Sequence, residues 1–188
     1  REAYREPFGP LMPGFTMVPF GDMDAMKEAM NEETAAVILE PILGEGGIHV
    51  PPDDYLPAVR KLCDENEALF ILDEVQTGFA RTGKMFAAEH WNVVPDIMTV
   101  AKSMGGGIYP ISATIFKEEI MDFFIPHPFI HLSTFGGSDL GCMVALAVID
   151  YIEKNDLAGH AQKMGQRFRK GFDALLKEYP DLLLEVRQ

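Results

Sequence analysis

Two short apolar segments, residues 69–72 and 97–100, constrain the fold of this chain more than any other feature of its sequence. Asp73 follows the first segment directly, and Lys102 lies shortly after the second, just before Gly105, Gly106 and Gly107. Apolar segments of this length are typical of strands buried in a parallel sheet. Because the C-terminal ends of parallel strands form the edge where ligands bind, we expect an acid and an amine to lie together there.

Strand-length apolar segments alternate with helix-length segments along most of the chain. Strands are predicted at residues 35–39, 69–72, 97–100 and 111–116, and helices at residues 23–31, 54–67, 86–90, 118–124, 140–154 and 158–178. This order indicates an α/β fold with three layers, αβα, around a mostly parallel, doubly wound sheet. Asp22 or Asp24 is expected to cap the first helix, and Asp53 or Asp54 the second.

The polarity of three segments predicts how deeply each is buried. Residues 35–39 are wholly apolar, which predicts a strand that is covered on both faces. Residues 140–154 are nearly all apolar and predict a helix that is buried on most sides. Residues 158–178 alternate charged and apolar side chains, as the sequence of a surface helix does.

Charge and cysteine content exclude several classes of function. The formal net charge of -13 argues against binding a polyanion such as nucleic acid. No apolar run is long enough to span a membrane, and Cys63 and Cys142 are too isolated to form a disulfide framework. We expect two buried, reduced thiols in a soluble cytoplasmic protein. Pro126 and Pro128 preclude a regular helix that would present His127 and His131 as a zinc pair, so no metal site is predicted.

Asp73 and Lys102 each allow two interpretations. A lysine withdrawn from water at a sheet edge becomes a nucleophile, although a solvated surface lysine is the commoner case. The carboxylate of Asp73 could instead cap the turn that follows the strand. The two residues are 29 positions apart, about the length of one crossover between neighbouring parallel strands. A carboxylate placed there could keep the ring nitrogen of a pyridine cofactor protonated.

Several sequence motifs together resemble a known family. They are the segment LDEVQTGFARTG at residues 72–83, PDI at 95–97, AK at 101–102 before the three glycines, STFGG at 133–137, and EPI at 40–42 with GEGG at 44–47. These motifs are similar to those of the class III (ornithine/ω-amino acid) aminotransferases, pyridoxal-phosphate enzymes of fold type I. The resemblance implies that residues 1–188 are the central and C-terminal part of the cofactor-binding large domain, without its N-terminal segment and the C-terminal small domain.

The resemblance also implies roles for individual residues. Lys102 would form the Schiff base with pyridoxal phosphate and then move the proton between substrate and cofactor carbons. Asp73 would pair with the pyridinium nitrogen, Val75 would pack against one face of the ring, and Gln76 would lie near its phenolic oxygen. In a homodimer, Thr134 would bind the phosphate of the neighbouring subunit's cofactor.

Two glutamates are expected at the mouth of the pocket by the same resemblance. Glu40 would contribute to cofactor binding, and Glu45 would pair with an arginine of the small domain and swing as amino donor and 2-oxoglutarate alternate. The other interpretation of Glu45 is a solvated loop acid. The family commonly has Gln where Leu43 stands and Asn-Pro at residues 138–139, differences that predict local changes in the loops.

The implied activity is transamination of an ω-amine or diamine, with 2-oxoglutarate as the expected acceptor. The nearest likeness is to putrescine (diamine) aminotransferases, through residues 37–41, 84–87 and 179–182. Ornithine or acetylornithine aminotransferase is the main alternative. A class III aminomutase or decarboxylase would use the same lysine and aspartate. A catalytically incomplete binding or dimerisation fragment is the alternative outside enzymes.

Overall fold

The computed structural model describes residues 2–187. The strands are β1 (Ala36–Leu39), β2 (Leu69–Asp73), β3 (Ile97–Val100) and β4 (Ala113–Phe116). The α-helices are α1 (Glu2–Arg5), α2 (Met23–Ala29), α3 (Tyr55–Glu65), α4 (Glu118–Phe124), α5 (Asp139–Lys154) and α6 (Leu157–Glu178), and the 3-10 helices are Glu6–Phe8, Ala87–Trp91 and Lys102–Gly105. Every predicted strand and helix is present, with the helix predicted at residues 86–90 formed as a 3-10 helix, and the two short helices before residue 9 are additional to those predicted.

The four strands form one mixed sheet in the order β1-β2-β3-β4. β1, β2 and β3 are parallel, and β4 is antiparallel to β3, so the prediction of a mostly parallel αβα fold is confirmed. The strands follow chain order, and the reversal of a doubly wound sheet does not occur within residues 2–187. β4 turns back because the segment between β3 and β4 contains only a one-turn 3-10 helix, too little for a parallel crossover.

Helix α3 packs against β1 and β2 and forms the main core. Leu56, Val59 and Cys63 are fully buried on one side of the helix, as their spacing predicts, and they meet Phe70 and Leu72 of β2. This packing fixes β2 in the middle of the sheet. The strand that ends in Asp73 is therefore held by the best-buried part of the described chain.

The capping predictions are confirmed for one helix only. The carboxylate of Asp22 accepts a hydrogen bond from the backbone N–H of Ala25 at 2.9 Å and caps α2. Asp54 occupies the N-cap position of α3, but its side chain makes no capping hydrogen bond. Its backbone is helical there, so the side chain does not have the extended geometry that capping needs.

Two of the burial predictions are wrong. Ile38 of β1 is 58% exposed, because α2 and α3 cover only the sheet face to which Val37 points. Helix α5 is not buried on most sides: Leu140, Met143 and Leu146 are exposed, since α5 contacts its neighbours through the side that carries Ala145 and Ile152. By contrast α6 has no buried residue among those described, which confirms it as a surface helix.

The cysteines lie in different environments. Cys63 lies on the buried side of α3, and burial raises the pKa of its thiol to about 11. Cys142 is exposed on α5, so the prediction that both thiols are buried is wrong for this residue. Among the residues that the structure describes, no helix combines the length and apolar character needed to cross a bilayer.

A buried aspartate ties the strands together at the edge opposite to the C-terminal ends of β2 and β3. The carboxylate of Asp96 accepts hydrogen bonds from Arg60 at 2.6 Å and from the backbone N–H of Phe70 at 2.7 Å, and it pairs with Lys117 at 2.6 Å. Burial alone raises the pKa of Asp96, but the bonds from Lys117, Phe70 and Arg60 outweigh it and hold the pKa below its ordinary value of 3.8. The Arg60 guanidinium also lies 5.4 Å from the centre of the Phe70 ring.

We predict that Asp96→Asn destabilises the protein by about 3 kcal/mol at neutral pH, because it leaves two cations without their carboxylate. The folded-state pKa of Asp96 lies below the ordinary value, so its stabilisation is fully present above pH 3.8 and is lost as the pH falls through the folded-state pKa. Urea unfolding as a function of pH should therefore show the two proteins converging in acid. Asp122→Asn, at an exposed position, is the control. A difference that stays constant down to low pH would contradict the prediction.

Candidate active site

The turn that follows β2 begins at Asp73. Asp73 is half-buried, and its Oδ1 accepts a hydrogen bond from the backbone N–H of Val75 at 3.0 Å. This short side-chain-to-backbone loop fixes the direction in which the chain leaves the strand. The carboxylate lies at the C-terminal end of β2, opposite Thr99 of β3 in the parallel register, as the position of the strand predicts.

Lys102 begins the 3-10 helix that follows β3. Its Nζ donates a hydrogen bond to Oε1 of Gln76, so the ends of β2 and β3 are joined by these two side chains. Its backbone is left-handed, with φ of 41°, which a residue with a side chain rarely adopts. Lys102 is exposed in the described chain, so the argument that burial withdraws this amine from water is wrong for this structure.

The loop after β1 closes against Gln76. The carboxylate of Glu40 accepts a hydrogen bond from the backbone N–H of Gly44 at 3.0 Å, which folds the loop back on the strand end. A Cβ on Gly44 would lie 2.6 Å from Nε2 of Gln76, so a side chain at this position would displace the Gln76 amide. Glu40, Gln76 and Lys102 are thus linked in one continuous set of contacts at the ends of three parallel strands.

A second acid, Glu74, holds this region in place, and the sequence argument assigned it no role. Its side chain is 0% exposed. The carboxylate accepts hydrogen bonds from the Thr77 hydroxyl at 2.5 Å and from the backbone N–H groups of Ala87 and Ala88 at 3.0 and 2.8 Å. One feature of the sequence could have indicated a structural role for Glu74. It follows Asp73 directly, and successive residues of a strand point to opposite faces of the sheet. Glu74 therefore points away from the side chain of Asp73, and it anchors the following loop to a 3-10 helix.

Thr134 lies outside this set of contacts, and Glu45 lies at its border. Thr134 is exposed in the segment between α4 and α5, and no hydrogen bond described within residues 2–187 joins it to Asp73, Gln76 or Lys102. Glu45 is exposed in the loop that Glu40 shapes, one residue beyond Gly44. The structure therefore brings together Glu40, Gln76 and Lys102 with Asp73 at the neighbouring strand end.

A cleft of about 640 Å³ adjoins Lys102 and is lined by residues 107–112. The residues that follow β2 and β3 have the chemistry to bind a flat, nitrogen-containing aromatic ring that carries a carbonyl and a hydroxyl group. Asp73 suits a protonated ring nitrogen, and Val75 suits the face of a ring. The Gln76 amide can bind a hydroxyl group, and the Lys102 amine can attack a carbonyl carbon.

Comparison with known families identifies the chain. The family model for class-III aminotransferases matches residues 1–188. The chain belongs to the class III aminotransferases. The family assignment agrees with the mixed α/β sheet and with the position of Lys102 after a parallel strand.

Solved structures that resemble this class III aminotransferase chain include ornithine and acetylornithine enzymes. The ornithine aminotransferase of Toxoplasma gondii is 38% identical over 100% of this chain and 43% of its own, with a TM-score of 0.89, and pyridoxal phosphate partially occupies its active site. The acetylornithine aminotransferase of Elizabethkingia anophelis is 42% identical over 92% of this chain and 43% of its own, with a TM-score of 0.84. A Virgibacillus transaminase is 35% identical over 86% of this chain and 36% of its own, with a TM-score of 0.74. The chain thus spans less than half of each of these structures.

We predict that Glu74→Ala destabilises the protein by about 3 kcal/mol, because two buried backbone N–H groups lose their acceptor. Glu74→Gln keeps one carbonyl oxygen and should cost less. Urea unfolding measures both, with the exposed Glu119→Ala as the control. If Glu74→Ala unfolds at the same urea concentration as Glu119→Ala, Glu74 does not hold the loop.

Proposed function

We propose that the protein to which this chain belongs binds pyridoxal phosphate and transfers the terminal amino group of an ω-amine to a 2-oxo acid, with 2-oxoglutarate as acceptor. The observation that carries the proposal is the contact between Lys102 and Gln76 beside Asp73, at the C-terminal ends of adjacent parallel strands. Bound pyridoxal phosphate supplies an electron sink for the charge left when a proton leaves the carbon that bears the amino group.

Each residue of the set would do a distinct part of this work. The negative charge of Asp73 keeps the proton on the ring nitrogen, and Val75 supports one face of the ring. The amine of Lys102 would hold the cofactor covalently and, when free, would move a proton to and from the substrate carbon that bears the amino group. Gln76 binds the amine of Lys102 in the described chain, and its amide would also bind the ring hydroxyl group.

The two glutamates of the β1 loop would act less directly. Glu40 accepts the N–H of Gly44 and so fixes the loop that lies against Gln76. Its role in cofactor binding would therefore be to hold that loop. Glu45 remains our proposal for the gate at the pocket mouth, where its exposed carboxylate can pair with an arginine from outside this chain.

For the amino donor we propose ornithine or N-acetylornithine. Structures of ornithine and acetylornithine aminotransferases match nearly the whole chain at 38% and 42% identity. The sequence likeness at residues 37–41, 84–87 and 179–182 favours putrescine as the second candidate. All three compounds present a primary amine at the end of an aliphatic chain, so the groups around Lys102 suit each of them.

We predict that borohydride fixes pyridoxal phosphate on Lys102 of the complete protein and that Lys102→Ala gains no label at this position. Amino transfer should fall by about a thousandfold in Lys102→Ala, because the proton carrier is lost. Peptide mass spectrometry locates the label, and glutamate formed from 2-oxoglutarate measures activity with ornithine, N-acetylornithine and putrescine in turn.

Lys61→Ala, which removes an exposed lysine from α3, is the matched control for this experiment. Unlabelled Lys102 in the wild-type protein would overturn the proposed function. Labelling without glutamate formation from any of the three amines would overturn the choice of donor and turn attention to decarboxylation or amino-group migration. A higher kcat/KM for putrescine than for the other two amines would establish the second candidate.

We also propose that the protein is a homodimer in which Thr134 binds the phosphate of the partner subunit's cofactor. The segment that carries Thr134 and the helix that follows it expose many apolar side chains: Phe129, Leu132, Phe135, Leu140, Met143 and Leu146. Exposed apolar surface of this kind marks an interaction site. A second copy of the chain is the partner that would place Thr134 near a cofactor. A cytoplasmic location stays a prediction.

We predict that Met143→Glu raises the dissociation constant of the dimer by about a hundredfold, because it buries a charge in an apolar interface. Sedimentation velocity over a range of protein concentrations measures the change. Leu182→Glu, at an exposed position outside α5, should leave the dimer intact. A Met143→Glu protein that sediments as the wild type does would place the interface elsewhere.

A further inference from the structure

Three residues other than glycine adopt left-handed backbone conformations in the loop after β2 and in the turn after β3. They are Phe79 with φ of 56°, Ala80 with φ of 69° and Lys102 itself with φ of 41°. Such conformations cost free energy in any residue except glycine and persist only where neighbouring groups impose them. The loop after β2 and the turn after β3 are therefore both held in strained geometry.

The loop after β2 is held by its core. Phe79 and Ala80 are buried and pack in a cluster with Val100 and Ile152. The N–H of Ala80 donates to the carbonyl oxygen of Met85 at 3.2 Å, which closes the loop. Because these contacts fix the two residues before it, Arg81 leaves the core at a defined point and its side chain extends over the loop surface.

Arg81 connects this loop to the turn that carries Lys102. Its Nη2 donates a hydrogen bond to Oγ of Ser103 at 2.8 Å, across 22 positions of sequence. Within residues 2–187, this bond and the bond from Lys102 to Gln76 are the two described side-chain hydrogen bonds between residues 74–83 and the 3-10 helix Lys102–Gly105. The bond to Gln76 holds the side chain of Lys102, and the bond from Arg81 holds Ser103, the next residue along the chain.

We propose that Arg81 is a positioning residue for Lys102, a proposal that rests on the proposed function of Lys102 as the cofactor-binding lysine. By holding Ser103, Arg81 keeps the backbone of Lys102 in its left-handed conformation and so sets the direction in which the amine points. Without this restraint the backbone of Lys102 relaxes to a negative φ, and its Nζ moves away from Gln76 and from the carbonyl carbon that it must reach. Arg81 itself is exposed, so the core of the loop does not depend on its side chain.

The test uses the complete protein and five variants: Arg81→Met, Ser103→Ala, the double variant of these two, Ser103→Thr, and Lys84→Met as a control that removes an exposed cation from the same loop. Cofactor-free protein is mixed with pyridoxal phosphate, and the label on Lys102 is trapped with borohydride at successive times. Reloaded protein supplies kcat, KM and the pH dependence of the cofactor's visible absorption band. Thermal unfolding shows that each variant is folded.

We expect Arg81→Met to label Lys102 and turn over about tenfold more slowly than the wild type, the loss expected from a displaced reacting group. KM should stay within about twofold of the wild-type value, because the substitution removes no contact that binds the substrate equally in the ground state and in the transition state. The absorption band should titrate at a different pH in Arg81→Met but not in Lys84→Met. Ser103→Ala should show the same changes, and the double variant should be no slower than Arg81→Met, because both substitutions break one hydrogen bond. Ser103→Thr keeps the hydroxyl group, so its Lys102 should be labelled at the wild-type rate.

Several results would overturn the proposal. Wild-type rates of labelling in Arg81→Met, or single effects that multiply in the double variant, would show that the bond does not position Lys102. If Arg81→Met unfolds at a much lower temperature than the wild type, the test depends on Ser103→Ala instead. Labelling of Lys102 at the wild-type rate in Ser103→Ala then overturns the proposal. A wild-type protein that gains no label on Lys102 overturns the proposed function as well, which distinguishes the two failures.

Discussion

The hydrogen bonds of one buried carboxylate determine how the chain is arranged around the site. Glu74 is fully enclosed and receives three hydrogen bonds, two of them from backbone groups 13 and 14 residues further along the chain. An enclosed carboxylate without donors would be very unfavourable, so the loop can close only when all three are in place. Because Val75 and Gln76 lie between Glu74 and Thr77, their positions are set by the same closure. Glu74 thus fixes Val75 and Gln76, which would contact the cofactor, although Glu74 itself is assigned no contact with it.

The opposite edge of the sheet is secured by a different arrangement of charge. Asp96 receives hydrogen bonds from α3, from the backbone of β2 and from the residue that follows β4. β2 and β3 are therefore held at both ends, by Asp96 where they begin and by the contacts of Glu74, Gln76 and Lys102 where they end. A site made of side chains from two strands needs this rigidity, since small displacements of reacting groups cost much of the rate.

The sequence predicted what depends on local pattern. Apolar periodicity located the strands and helices, and the rule for parallel strands placed Asp73 and Lys102 at neighbouring strand ends. It could not predict which apolar faces are covered. An apolar sequence, such as that of β1 with Ile38 or that of α5, indicates that burial is favourable, but it does not identify the segment that packs against it. The role of Glu74 was missed because its donors at Ala87 and Ala88 are backbone groups, which carry no signature in the sequence. The exposure of Lys102 likewise depends on which other segments pack over the sheet edge.

The antiparallel pairing of β3 with β4 makes residues 101–112 the turn of a hairpin whose two ends are held by the sheet. The half that contains Lys102 is tightly constrained, and a Cβ on Gly106 would lie 2.8 Å from the side chain of Val148. After Gly106 there is more space: a Cβ on Gly107 would meet no atom within 4 Å, although its backbone is left-handed with φ of 72°, and the Ile108 side chain is 83% exposed. This second half also lines the cleft beside Lys102. A substitution at an exposed position such as Ile108 can therefore reshape the cleft while the lysine keeps its place, so the two halves of the hairpin differ in how freely their side chains can change.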